Sequence, residues 1–163
     1  MKTRNIIMWA VALLSLLTIN FLSYQKEELT SKGRVVFLDL APVDPRSLIQ
    51  GDYMRLRYAI SEQIDGLNPS QGGLAVVRID SKNIAHFVRI YDSKTPLKAD
   101  EILLIFRFDS SGVQVGPDSF FFQEGHAEYY EDARYGEVRV SDSGEVLLIG
   151  LRDVNLKLLG PPK

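Results

Sequence analysis

No cysteine occurs in the 163 residues, which removes disulfides, zinc–thiolate sites and thiol nucleophiles from consideration. That absence does not argue against export, because a domain of this size folds on its core alone. Histidine is scarce, with His86 and His126 far apart in sequence. No acid precedes Glu27, and no stretch concentrates Lys and Arg. Residues 25–163 carry all 21 acidic groups and 17 of the 19 basic ones, leaving a net charge of −4. Nucleic acid is excluded as a partner, since it needs a concentrated positive face. No repeat at a fixed period is visible. Apolar residues at 45% and charged residues at 25% are ordinary globular values, so the chain is expected to fold.

What is present begins with residues 6–24, IIMWAVALLSLLTINFLSY, a run without charge. Its length approaches the ~20 residues that cross a hydrocarbon core. Trp9 and Tyr24 lie where amphipathic rings favour the headgroup layer. Lys2 and Arg4 precede the run, and Lys26, Glu27 and Glu28 follow it. These features predict a transmembrane anchor with a short cytoplasmic tail over residues 1–25. The positive-inside bias places residues 26–163 on the other side, periplasmic or extracytoplasmic, at the bacterial inner membrane. A cleaved signal peptide is the competing reading. It needs a shorter apolar region and small residues at the cleavage site, and Asn20-Phe21-Leu22-Ser23-Tyr24 offers no such pattern.

Beyond the polar residues 25–33, Arg34-Val-Val-Phe-Leu-Asp-Leu40 has strand composition. Residues 52–60 alternate, with Met54, Leu56, Tyr58 and Ile60 on one face and Tyr53, Arg55 and Arg57 on the other, as a half-buried strand does. Residues 61–73 read as a long loop with room for one helical turn. Further strands are expected over 74–80, 85–91, 102–108, 114–115 leading to 120–122, 136–140, 145–151 and 154–159. Turn composition predicts hairpins around 81–84 and 141–144. Residues 125–134 look helical, with Ala127, Tyr130 and Ala133 on one face. The expected fold is therefore mainly β, one N-terminal transmembrane helix followed by an antiparallel β sandwich or open barrel with one short helix.

Chemistry has few places to reside. Residues 42–53, PVDPRSLIQGDY, hold Ser47 among Asp44, Arg46 and Asp52. A serine nucleophile needs a general base in reach, and none can be assigned to Ser47. Turn-stabilising roles for Asp44, Gly51 and Asp52 are more economical, with Arg46 pairing either carboxylate. His126 stands among Glu124, Glu128, Glu131 and Asp132, but not at metalloprotease spacing. Arg134 and Tyr135, beside Tyr129 and Tyr130, are candidates for an exposed interaction patch. Arg55, Arg57, Arg139 and Arg152 would form an anion site if their faces coincided. Cross-strand pairs with acids are the simpler expectation.

Gly51-Asp-Tyr-Met-Arg-Leu-Arg-Tyr58 fits the pattern Gly-Asp-Tyr-x-x-Leu-x-Tyr, and the chain resembles the GDYXXLXY family of bacterial membrane-anchored proteins. Pro42-Val-Asp-Pro-Arg-Ser47, Phe122-Gln-Glu-Gly125, Ala133-Arg-Tyr-Gly-Glu137 and Gly150-Leu-Arg-Asp153 are similar to that family as well. The resemblance implies a membrane-associated accessory role, with a multi-pass membrane protein as neighbour. It implies no catalytic residue and no cofactor.

Three functions are expected, in descending order. The first is a non-enzymatic interaction module of a membrane protein complex, using Asp44, Arg46, Gly51, Asp52, Tyr53, Arg55, Leu56, Tyr58, Arg134 and Tyr135. The second is a ligand or ion sensor with its pocket at residues 42–53. The third is an extracytoplasmic hydrolase.

Overall fold

The structure is a computed structural model that describes residues 7–9, 11–20, 32–41, 49–50, 53–109 and 112–162. It divides into two compact units, Met1–Gly33 and Arg34–Lys163.

In the first unit, residues 7–9 and 11–20 are helical. Among the described residues no helix is long and apolar enough to cross a membrane, so the expected transmembrane helix is corrected. The described helical residues fall short of the ~20 consecutive ones that a crossing helix needs. The expectation counted uncharged residues and gave little weight to Ser15, Thr18 and Asn20. Each of these side chains donates to a carbonyl four residues earlier, at 2.9 Å. They occupy three of the ten positions in the run and dilute its hydropathy.

The second unit is mainly β, as expected, with ten strands in three antiparallel sheets among the described residues. The first sheet has the order β1-β9-β10, formed by Arg34–Asp39, Tyr135–Val140 and Val146–Arg152. A second, small sheet has the order β2-β3-β8, formed by Ile49–Gln50, Tyr53–Arg55 and Ser119–Phe121. The third has the order β5-β4-β6-β7, from Ala85–Ile90, Gly73–Ile79, Glu101–Asp109 and Gly112–Val115. The sheets join at their edges. Phe37 forms a parallel bridge with Ile84, and its N–H donates to the Asn83 carbonyl at 2.8 Å. Ile105 N–H donates to the Gly144 carbonyl at 2.8 Å, which docks the β9–β10 turn on β6. Gly144 sits at φ +89° with Leu103 backbone atoms 3.2 Å from where a Cβ would stand, so this turn has no room for a side chain. The result is a half-barrel around one core that draws on every sheet and includes Val36, Leu38, Val77, Leu104, Val115 and Val138.

Both expected hairpins form. In the β4–β5 turn, Asp80 Oδ1 accepts from Lys82 N–H at 2.8 Å and Ile84 N–H at 2.9 Å, while His86 Nε2 lies 3.2 Å from Oδ2. Asn83 takes φ +63° there, a conformation asparagine tolerates.

Other elements differ from expectation, each for a local reason. Met54, Leu56, Tyr58 and Ile60 are all buried, but the strand covers only Tyr53–Arg55. From Ala59 to Asp65 the chain forms a helix, α1, that buries Ile60, Ser61 and Ile64. Ile60 fits a period of two with Tyr58 and a period of four with Ile64, and the helical partner prevails. The helix expected over 125–134 is a 3-10 turn, Ala127–Tyr130. The Tyr130 ring is held 5.1 Å from Phe120 and 5.4 Å from Phe122, and Arg134 N–H is already committed to the Arg152 carbonyl at 2.7 Å. Residues 154–159 are not a strand. Asp153 Oδ1 accepts from Asn155 and Lys157 N–H, both at 2.8 Å, and this local turn competes with the ladder.

Asp80 supplies a pH test of the hairpin. Slight burial raises its carboxyl, but the Ile84 N–H, the His86 side chain and the Lys82 N–H outweigh this and hold it below the ordinary range. A depressed carboxyl stabilises the fold above its unfolded value, and that contribution fades as pH falls through the folded one. Asp80→Asn should therefore lower the Tm at pH 7, and the gap from wild type should close on acidification toward pH 2. Thermal melts of both proteins across that range check this.

Candidate functional site

Three segments that carry the family resemblance, within 53–58, 133–137 and 150–153, are tied together at the end of β1. Leu40 bridges Tyr58, and Ala41 N–H donates to the Arg57 carbonyl at 2.8 Å. Leu40 N–H in turn donates to the Arg134 carbonyl at 3.0 Å, and Arg134 N–H to the Arg152 carbonyl at 2.7 Å. The end of β1, the strand β3 with its continuation to Tyr58, the start of β9 and the end of β10 thus form one knot.

Tyr58 is its centre. The residue is fully buried, and its hydroxyl donates to the Pro117 carbonyl at 3.0 Å. Burial, and secondarily the Asp118 carboxylate, push that hydroxyl above the ordinary tyrosine range, so it stays a neutral donor at any physiological pH. The ring packs against β9 at Gly136. A Cβ there would stand 3.2 Å from Tyr58 Cε1 and 3.3 Å from Leu148 Cδ1. Leu56 is 6% exposed, and its N–H donates to the Asp118 carbonyl at 2.7 Å. Both residues were candidates for an interaction surface, and both are occupied inside the fold.

The remaining candidates divide. Asp44, Arg46, Gly51 and Asp52 lie outside the described residues, as does Ser47. Arg134 Nη2 hydrogen-bonds Asp39 Oδ2 and stands within ionic reach of Oδ1, each at 3.2 Å. Tyr135, half-buried, faces Asp39 and Arg152 in the ladders. The arginines expected either to cluster or to pair mostly pair. Arg152 places Nε 2.8 Å and Nη2 2.7 Å from Glu137 Oε2, donates to the Leu156 carbonyl and covers the Phe37 ring at 5.6 Å. Arg57 lies 3.9 Å from Glu62 across an exposed gap, a contact worth little.

Among the described motif residues Tyr53, Arg55 and Arg57 face outward, and the first two stand on β3. β3 alternates, sending Met54 into the core and Tyr53 and Arg55 to the other side. Its partner β8 does the same, with Phe120 packed on the core and Phe121 74% exposed. Tyr53 pairs with Phe121 in register, and their ring centroids are 5.8 Å apart. Phe121 escaped the sequence reading, although the run Phe120-Phe121-Phe122 in a strand must turn its middle ring the opposite way from its neighbours.

Elsewhere the chemistry is already committed. A cavity of ≈ 220 Å³ between β6 and the β9–β10 turn is lined in part by Arg34, Glu101 and Ser141. Glu101 accepts from Lys98 N–H at 3.2 Å and lies 3.5 Å from Arg89, while the Ser141 hydroxyl bonds Ser143 and Glu145 N–H. His126 packs edge-on against Tyr129 at 5.3 Å, and no group of three acids or histidines able to hold a metal occurs among the described residues.

Because Tyr58 cannot retreat from Gly136, Gly136→Ala should cost about 1–3 kcal/mol through overpacking. Tyr58→Phe removes only the bond to Pro117 and should cost about 1 kcal/mol. Denaturant unfolding of the two variants checks both values and their order.

No curated protein and no solved structure matches this chain. The sequence model described as GDYXXLXY protein matches residues 15–151. Tyr53, Leu56 and Tyr58 of that pattern are the residues found on and inside the knot, and the chain belongs to the GDYXXLXY family.

Proposed function

We propose that the Arg34–Lys163 unit is a non-enzymatic interaction module, an accessory domain of a membrane protein complex whose partner is a multi-pass membrane protein. The observation that carries this reading is the outward face of β3 and β8. Two aromatic rings, one of them largely solvent-exposed, lie beside the exposed Arg55 on a sheet whose opposite face is locked in the core. Tyrosine and arginine are the residues enriched in binding hot spots, and a rigid support reduces the ordering cost of binding. An isolated exposed phenylalanine would be ordinary, but a paired one on a rigid sheet is not so readily dismissed.

The first unit supports the membrane side of the reading. Ile7, Met8, Trp9, Val11, Leu13, Leu14, Leu16, Leu17 and Ile19 are each 58–70% exposed, an arrangement that favours apolar surroundings such as lipid or a partner's helices. Lys2 and Arg4, ahead of that apolar surface in sequence, suit an anionic membrane surface.

Affinity purification of the full-length protein from its native membrane should retain a multi-pass partner at near-equal stoichiometry. Tyr53→Ala, Arg55→Ala and Phe121→Ser should each reduce that capture while leaving the Tm unchanged. Tyr58→Ala should reduce it only by unfolding, with a stability loss of about 3–5 kcal/mol. A protein that leaves the membrane alone under crosslinking contradicts the reading.

A further inference from the structure

The chemistry of the Tyr53–Phe121 face narrows the kind of segment it can hold. β8 ends the order β2-β3-β8, so among the described residues no strand lies along its outer edge. An open edge presents backbone N–H and C=O groups at the spacing an added strand requires. Phe121 and Ser119 share the outward side with their cross-strand partners Tyr53 and Arg55. None of the ion pairs among the described residues uses Arg55, in contrast to Arg57, Arg89, Arg134 and Arg152.

We propose that β8 takes up an extended segment of a partner by strand addition, with an apolar side chain over the Tyr53–Phe121 pair and a carboxylate two residues later for Arg55. This rests on the interaction reading above. In antiparallel addition, the residue opposite Phe121 is followed two positions on by the residue opposite Ser119, with both side chains on the outward face. Ser119 is small, so it leaves a lane between the incoming carboxylate and Arg55. Two strand spacings separate their backbones, roughly 10 Å, a gap that arginine and glutamate side chains close between them. The net charge of −4 over residues 25–163 opposes an acidic segment from afar. Salt screens that repulsion beyond about 8 Å, so the local guanidinium, in no ion pair among the described residues, decides.

The test uses full-length protein and three synthetic peptides of roughly eight residues, the length of a typical strand. Each has Ser at every second position. The positions between alternate Leu and Glu in one, Leu and Lys in the next and Ser and Glu in the third, so that both kinds of side chain share one face. Binding is read by fluorescence anisotropy. The Leu/Glu peptide should bind at least about tenfold more tightly than either control, a difference of about 1.4 kcal/mol. Phe121→Ser, at an exposed position, should weaken it by a similar factor without affecting folding. Arg55→Glu should turn the preference toward the Leu/Lys peptide. Equal binding of all three peptides, no binding, or indifference to Arg55→Glu overturns the proposal. Failure of the broader reading shows separately, as absence of any membrane partner in the purification whatever the peptides do.

Discussion

The contact of the Tyr58 ring with the backbone of β9 at Gly136 sets the arrangement of everything around it. A tyrosine ring can lie that close only because position 136 has no Cβ. The ring's far end is then fixed by its bond to the Pro117 carbonyl, which ties the β7–β8 turn to the same point. Tyr58 also supplies the carbonyl that accepts the first N–H of α1, from Ser61 at 2.9 Å. One residue, by ring, hydroxyl and carbonyl, therefore joins β9, the entry to β8 and the start of the helix. A buried aromatic with a satisfied hydroxyl combines large apolar burial with directional anchoring. Loss of its polar bond alone leaves the Pro117 carbonyl short of a partner.

The knot around Tyr58 explains the composition of the neighbouring segments. Arg152 and Glu137 pair across β9 and β10 with both side chains mostly shielded, and Arg152 meets further oxygen at Leu156. A half-buried pair with every donor directed is costly to break on one side, because the remaining charge is left without compensation. Arg134 performs a similar service for Asp39 at a more exposed place. These arginines align the ladders, which leaves them little freedom to serve an external anion. Arg55 is different, since it takes part in none of the ion pairs among the described residues.

Much of the fold was legible because strand periodicity and turn chemistry are local. The two hairpins followed from the sequences at Lys82-Asn83 and Ser141-Asp-Ser-Gly144, whose backbones need polar or glycine residues. Burial of Met54, Leu56 and Tyr58 followed from alternation. The helix at Ala59 was hidden because Ile60 belongs to two periodicities at once, and only tertiary packing chooses between them. The apolar N-terminal run misled for another reason. Length without charge is necessary for a membrane-crossing helix, but it must be realised as one continuous helix of about 20 residues, and the described helical residues, 7–9 and 11–20, fall short of that. The site was legible only as a list of residues. Which of Tyr53, Arg55, Leu56 and Tyr58 face outward depends on where β3 stops, and the importance of Phe121 depends on strand order, which no local pattern encodes.

The division of one short motif between core and surface has a mechanical consequence. Tyr53 and Arg55 stand on a strand of three residues, too short to hold its shape by its own ladder. Met54, Leu56 and Tyr58 supply the rigidity from the opposite face, so the outward rings inherit the order of the core. A rigid patch of this size would bury less surface than a stable free complex requires. Under the proposed role, confinement beside a membrane partner would change that requirement, because a tethered site meets its target at an effective concentration up to the millimolar range. A small aromatic and cationic face is then sufficient for the proposed role, and its smallness keeps it from capturing unrelated proteins.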